Sequence, residues 1–214
     1  MKKIIFWGGT GQAKVLYDAL DKFKYNLIAI IDNQSINSPI KDVPIFCGEK
    51  GLNDFIRKNE NLKEFYYAIA IGGHLGNDRL KISKIFKDLD ILPLTIIHQT
   101  AFIAEGANIG EGCQVLANSS ICASVQIGKH VILNTSCSVD HDCIIGDGSH
   151  IGPGAHLAGE IKVGMNSFVG VGATILPKLE IGDNVIIGGG SVVTKSIPNN
   201  CVAYGNPARI MSHK

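Results

Sequence analysis

Residues 121–151 read ICASVQIGKHVILNTSCSVDHDCIIGDGSHI. Cut into sixes, the stretch sets Ile121, Ile127, Leu133, Val139, Ile145 and Ile151 in one column, and Val125, Val131, Cys137, Cys143 and Ser149 in a second column four residues behind. The register runs on unbroken in both directions. Every sixth residue from Ile103 to Val193 is aliphatic, and every residue four further on, from Ala107 to Ile197, is small or aliphatic. An amphipathic helix would repeat near every ~3.6 residues and a half-buried strand at every second residue, and neither fits. A sustained six-residue period marks a parallel β-helix. One short strand and one corner fill six residues, three such units close a triangular coil of about 18 residues, and coils stack at roughly the 4.8 Å strand spacing. Glycine often follows the aliphatic position, as at Gly110, Gly128, Gly146, Gly152, Gly164, Gly170, Gly182 and Gly188. There the corner needs either unusual dihedrals or a close approach that a side chain forbids. The aliphatic column alone does not offset the backbone entropy of ordering the coils. That deficit and the flat outer faces of the prism predict an oligomer.

The chain has 214 residues and a formal net charge of +1, so composition gives no electrostatic case for nucleic acid or a membrane surface. The apolar run Ile4–Trp7 behind Lys2 and Lys3 is too short for a signal peptide or a membrane span, and a cytoplasmic protein is expected. The cysteines are Cys47, Cys113, Cys122, Cys137, Cys143 and Cys201, with no CxxC pair. Cys113, Cys137 and Cys143 fall in the second column and read as small buried hydrophobes, with neither disulfides nor a metal expected.

Residues 1–98 carry a different pattern. Strands are expected at Ile4–Gly8, Asn26–Asp32, Val43–Cys47, Phe65–Ile71 and Leu92–Ile97, and helices at Gln12–Lys22 and Asn77–Leu89. The first helix would bury Val15, Leu16, Ala19, Leu20 and Phe23. Strand–helix alternation argues a small, Rossmann-like parallel α/β domain over 1–98, followed by the β-helix over 99–214. The turn Gly8-Gly9-Thr10-Gly11 between strand and helix suits an anion at a helix N-terminus. It lacks the third glycine of the dinucleotide fingerprint, and Asp32 ends the second strand where a ribose-binding acid would sit. A cofactor-free lobe and a nucleotide site both fit these residues; the size favours a mononucleotide diphosphate over a dinucleotide.

His130, His141, His150 and His156 fall in neither inner column, so each is expected on an outer face or corner. His130 reads as a solvated surface group. His141 differs because it stands between Asp140 and Asp142, and a neighbouring carboxylate raises imidazole basicity toward general-base work. One coil of 18 residues carries position 141 to Gly159, whose unobstructed N–H suits the oxyanion of an acyl-transfer intermediate. The same step carries Asp142 to Glu160.

The hexad register resembles the left-handed β-helix of hexapeptide-repeat acyltransferases. With its short α/β lobe, nearly the whole chain resembles the PglD/NeuD-type sugar acetyltransferases. That resemblance rests on the pairing of lobe and prism, on Asn134-Thr135-Ser136 followed by Val139-Asp140-His141-Asp142-Cys143-Ile144-Ile145-Gly146, and on the closing run Gly205-Asn206-Pro207-Ala208-Arg209. It implies a homotrimer with active sites between subunits and acetyl-CoA as co-substrate. It implies His141 as catalytic base, Asp142 in place of a Glu that strengthens the base, and Gly159 as oxyanion donor. His150, Val171, Gly189 and Asn134 would line acetyl-CoA, with Lys195 and Arg209 near its phosphates or solvated. The lobe would hold a UDP-linked amino sugar at Thr10, Gly11, Gln12, Asp32 and Asn33, with Gly72 and Gly73 lining the same cleft. Gln12 stands where relatives often carry His, so no titrating group is available at that place. The expected reaction is N-acetylation of a UDP-linked 4-amino-4,6-dideoxy sugar of the bacillosamine type. O-acetylation of a sialic-acid-type sugar and a non-catalytic nucleotide-sugar-binding protein remain open. A three-histidine zinc site from His141, His150 and His156 does not match the spacing used by β-helix zinc enzymes.

Overall fold

The computed structural model describes residues 1–59 and 61–213; Lys214, the end of the expected second domain, and Glu60 lie outside the described residues. The chain forms two compact units, residues 1–71 with 81–96, and residues 72–80 with 97–214. Residues 72–80 fall inside the expected first domain by sequence, yet they pack with the second unit.

The first unit is a five-stranded parallel sheet. Strands β1 (Lys2–Trp7), β2 (Tyr25–Asp32), β3 (Ile45–Cys47), β4 (Phe65–Ile69) and β5 (Leu92–Pro93) lie in the order β3-β2-β1-β4-β5. Strand β1 is buried on both faces, with Ile4, Ile5 and Phe6 at 0 % exposure, as its unbroken apolar run requires. The order reverses at β1, so the crevice for a ligand in this kind of sheet opens beyond the carboxyl end of that strand, at Gly8. Gly8 has φ +110°, and a Cβ there would strike the Ala70 carbonyl. Helix α1 (Gly11–Ala19) buries Ala13, Leu16 and Ala19. It stops short of the expected Lys22 because the Asp21 carboxylate accepts from the Phe23 and Lys24 amides (3.1 and 3.3 Å), a local turn that competes with helix. Val15 and Phe23, expected in the core, are exposed. Helix α2 (Gly48–Arg57) was not legible in the sequence; its apolar content reduces to Leu52, Phe55 and Ile56 between polar residues and two glycines. Helix α3 (Gly76–Asp88) ends in this unit with Phe86 stacked on Tyr67 at 4.4 Å between ring centroids. The expected strand Leu92–Ile97 is broken into Leu92–Pro93 and Ile96–Ile97.

The second unit is the left-handed β-helix. Two-residue strands pair in parallel with a register of 18 residues, such as Ser138 with His156 and Val139 with Leu157. The first face carries Ser120–Ile121, Ser138–Val139, His156–Leu157 and Thr174–Ile175. The second carries Gln126–Ile127, Ile144–Ile145 and Lys162–Val163, and the third Ile132–Leu133, His150–Ile151 and Phe168–Val169. An antiparallel hairpin, Cys201–Gly205 with Ala208–His213, closes the third face. Both inner columns are buried from Cys113 to Val193, except Leu179, which is partly buried. In the second column, Cys143, Ser149 and Ser167 hydrogen-bond to the backbone of the next coil. Ser149 Oγ donates to the Gly164 carbonyl (2.6 Å) and accepts from the Ser167 amide (3.0 Å), and Ser167 repeats the pattern with Gly182 and Val185. Cys143 Sγ stands in the same way on the Ala158 carbonyl at 3.1 Å. Burial pushes the Cys113 and Cys137 thiols up to about 12, which leaves both inert as nucleophiles.

The left-handed backbone falls in a column other than the glycines singled out above. Positive φ recurs every six residues at Gly112, Asn118, Ser124, His130, Ser136, Asp142, Gly148, Gly154 and Glu160. The glycines after the aliphatic column are there for closeness: a Cβ on Gly146 would collide with the backbone of Gly164 and Met165.

Candidate active site

The chain leaves Val139 and Leu157 on the first face and turns toward the second, which stacks His141 and Gly159 at one corner of consecutive coils. The Glu160 amide donates to the His141 carbonyl at 2.9 Å. The imidazole lies over the bare side of Gly159: a Cβ there would collide with Nε2, Cε1 and Cδ2 of the ring. Asp142 has φ 57°, a conformation that aspartate tolerates better than most residues. Its Oδ2 stands 2.8 Å from His141 Nδ1. A carboxylate accepts, so Nδ1 carries the hydrogen and Nε2 keeps its lone pair. The Asp142 bond is the main cause that raises the His141 pKa above the ordinary imidazole value; Asp140 and Glu160 add to it. Asp140 also accepts from the His141 amide at 2.7 Å. Among the described residues the Gly159 amide has no acceptor. One corner thus presents a basic nitrogen beside a bare N–H donor.

A groove of about 360 Å³ runs along the first face beside this corner, lined by Cys122, Asp140, His156, Ala158 and Leu176 among others. Burial and Asp140 both push the Cys122 thiol up, so it stays protonated at neutral pH. His156 is exposed, with Nδ1 2.8 Å from Ser138 Oγ.

His150 occupies the third face and is 4 % exposed. Its Nδ1–H donates to the Gly73 carbonyl (3.0 Å), and its Nε2 accepts from Asn134 Nδ2 (2.9 Å). These partners fix the neutral tautomer. The Asn134 Oδ1 in turn accepts from the Thr135 amide at 2.8 Å. Gly73 belongs to the segment Gly72–Leu80, which sequence reasoning placed elsewhere. Arg79, on the first turn of α3, is fully buried and donates through Nε to the His130 carbonyl (3.2 Å) and through Nη2 to the carbonyls of Gly148 (2.5 Å) and Ser149 (3.3 Å). Desolvation lowers its pKa to about 10, so the guanidinium stays charged at neutral pH. The Asn77 amide donates to Asn166 Oδ1 at 2.8 Å.

The structure corrects the expectation of a solvated His130, which is 3 % exposed, with its ring against Gly112 and its carbonyl held by Arg79. Burial lowers His130 and His150 to about 4 each. Between pH 6.5 and 4 the unfolded chain therefore binds protons that the folded chain does not, and stability falls as pH falls through that window. The full contribution is ~3 kcal/mol for each histidine. The raised His141 works in the opposite direction but is half exposed and screened. Calorimetry should find the melting temperature on the order of 10 °C lower at pH 5 than at pH 7.5. A flat profile over that range would show that the two rings are not held neutral.

The other expected site residues divide by location. In the first unit, Thr10 and Gly11 are exposed at the start of α1 and Gln12 is half-buried. Asp32 Oδ2 accepts from the Gly9 amide at 2.6 Å and its Oδ1 from the Gln34 amide at 2.8 Å, so this carboxylate braces the glycine turn; Asn33 beside it is exposed. In the second unit, Asn134, Val171 and Gly189 follow third-face strands, at the corner leading to the first face. Lys195 follows a first-face strand, as His141 does, and Arg209 lies exposed on the closing hairpin. Among the described residues no helix is long and apolar enough to cross a membrane.

Comparison with known proteins agrees with this architecture. The PglD N-terminal domain model matches residues 3–84, and the bacterial transferase hexapeptide (six repeats) model matches 124–159 and 160–195. PerB from Caulobacter crescentus, solved in complex with CoA and GDP-perosamine, is 31 % identical over 98 % of this chain and 97 % of its own, with a TM-score of 0.89. The acetyltransferase domain of PglB from Neisseria gonorrhoeae, solved with acetyl coenzyme A, is 28 % identical over 98 % and 99 %, at 0.88. WeeI from Acinetobacter baumannii is 29 % identical over 97 % and 99 %, at 0.85. No curated protein matches the chain. The chain belongs to the PglD/NeuD-type family within the hexapeptide-repeat acyltransferases, and is an acetyl-CoA-dependent sugar N-acetyltransferase.

Proposed function

We infer that the chain transfers the acetyl group of acetyl-CoA to the amine of a UDP-linked 4-amino-4,6-dideoxy sugar of the bacillosamine type, with His141 as general base. The observation that carries this reading is the corner geometry: Nδ1 paired to Asp142, and the ring seated on Gly159. His141 Nε2 takes a proton from the amine as its nitrogen attacks the thioester carbonyl carbon. The Gly159 N–H stabilises the oxyanion of the tetrahedral intermediate. The C–S bond then breaks, and CoA leaves as thiolate. Direct transfer is favoured over an acyl-enzyme because the nearby thiol, Cys122, is held protonated.

The distribution of site residues supports a homotrimer with shared active sites. His141, Asp142 and Gly159 lie at the corner between first and second faces, whereas Asn134, Val171 and Gly189 lie at the corner between third and first. One prism holds these two edges apart. A closed ring brings one edge of a copy against a different edge of its neighbour, the heterologous contact of cyclic oligomers.

A GDP-linked amino sugar is a second reading, favoured by the GDP-perosamine bound to the Caulobacter relative. The test is a panel of UDP- and GDP-linked amino sugars incubated with acetyl-CoA and read by mass spectrometry. The reading expects one added acetyl group on a UDP-linked 4-amino sugar, stable to hydroxylamine as an amide is. Acetylation only of GDP-linked sugars would move the assignment to the second reading. A product cleaved by hydroxylamine would make the reaction O-acetylation.

A further inference from the structure

We propose that Arg79 is a positioning residue for acetyl-CoA, acting through Gly73, His150 and Asn134. Four hydrogen bonds and one close backbone approach hold Gly72–Leu80 on the β-helix. Arg79 reaches carbonyls on two successive coils, at His130 and at Gly148 and Ser149. Asn77 is tied to Asn166, and Gly76 lies so close to Gly148 that a Cβ would collide with its carbonyl. The segment so held delivers the Gly73 carbonyl to His150 Nδ1. That bond sets the tautomer, which makes Nε2 an acceptor and turns the Asn134 amide group toward it. Asn134 is left with its Oδ1 on the Thr135 amide and one Nδ2 hydrogen to offer outward, at the corner between third and first faces. The inference rests on the reading of Asn134 as an acetyl-CoA contact. It assigns a role to a buried cation that the chemistry at His141 does not use.

The corner that carries His141 belongs to a different edge, so the relay should govern cofactor affinity and not turnover. Arg79→Lys keeps the charge but cannot reach both coils with a planar fork. Asn166→Gly removes the acceptor of the Asn77 amide, while glycine suits the φ of 53° at that position. Asn134→Ala tests the underlying reading. The experiment measures the acetyl-CoA Kd by calorimetry, kcat at saturating acetyl-CoA, and the melting temperature of each variant. Asn134→Ala and Arg79→Lys are each expected to raise Kd about tenfold, the loss of one well-placed hydrogen bond. Asn166→Gly should raise Kd less, and kcat at saturating acetyl-CoA should stay within about twofold in Arg79→Lys and Asn166→Gly. If Asn134→Ala raises Kd while Arg79→Lys and Asn166→Gly only lower the melting temperature, Arg79 is structural and the proposal falls. If Asn134→Ala leaves Kd unchanged, the reading of Asn134 fails and the relay has no endpoint.

Discussion

His141→Ala should lower kcat by about 10³-fold, in the middle of the range that a positioned acid or base contributes. The side chain is about half exposed, so its removal deletes no core and should leave the melting temperature nearly unchanged. The rate effect is therefore separable from folding. The pH profile gives a second handle. Asp142 raises the pKa of the base, and the base works only when neutral, so activity of the parent enzyme should fall on the acid side at a pH above the ordinary imidazole value. Asp142→Asn should move that limb to lower pH and reduce the plateau, because a less basic nitrogen accepts the amine proton less readily. Near-normal turnover of His141→Ala across the pH range would remove the proposed chemistry.

Gly159→Ala is the second large expectation, a loss of about 10²-fold in kcat from displacing the base by roughly 1 Å. The added methyl would occupy space held by Nε2, Cε1 and Cδ2 of His141. The imidazole is the part that gives way, since it is half exposed while the coil backbone is locked in ladder hydrogen bonds. The fold should survive. Swinging away also weakens the Asp142 bond, so an NMR titration should find the imidazole pKa of the variant nearer its ordinary value. An unchanged kcat alongside a displaced ring would show that the seat on Gly159 has no part in the reaction.

The β-helix and this corner were legible because a strict repeat converts sequence spacing into spatial adjacency. Adding 18 to 141 is enough to find Gly159, and the register of Val139 with Leu157 shows why. The burial of His130 and His150 was not legible. Both occupy outward positions: the His150 ring is met by the Gly73 carbonyl from a segment more than seventy residues earlier, which no periodicity in Gly72–Leu80 announces, and the His130 ring lies against Gly112 while Arg79 holds its carbonyl. The left-handed column did leave a trace, since Gly112, Asn118, Gly148, Gly154, Asn166 and Asn184 share one phase with Asp142. The glycines one residue past the aliphatics are more frequent and mask that weaker signal. In the lobe, the β1 turn and Asp32 were placed correctly at strand ends, but their mutual hydrogen bond was not foreseeable from spacing alone.

The pairing register sets two separate rules for how this chain tolerates changes of length. Removing six residues between positions 142 and 158 would return every aliphatic side chain to the interior, yet carry Gly159 round to a neighbouring edge. Adding a full turn of 18 there keeps the edge but shifts Gly159 along the axis by one rung of about 4.8 Å. The interior therefore counts in sixes, while the reaction centre accepts no change of count at all. Length drift compatible with turnover is confined to coils outside the single turn that joins His141 to Gly159.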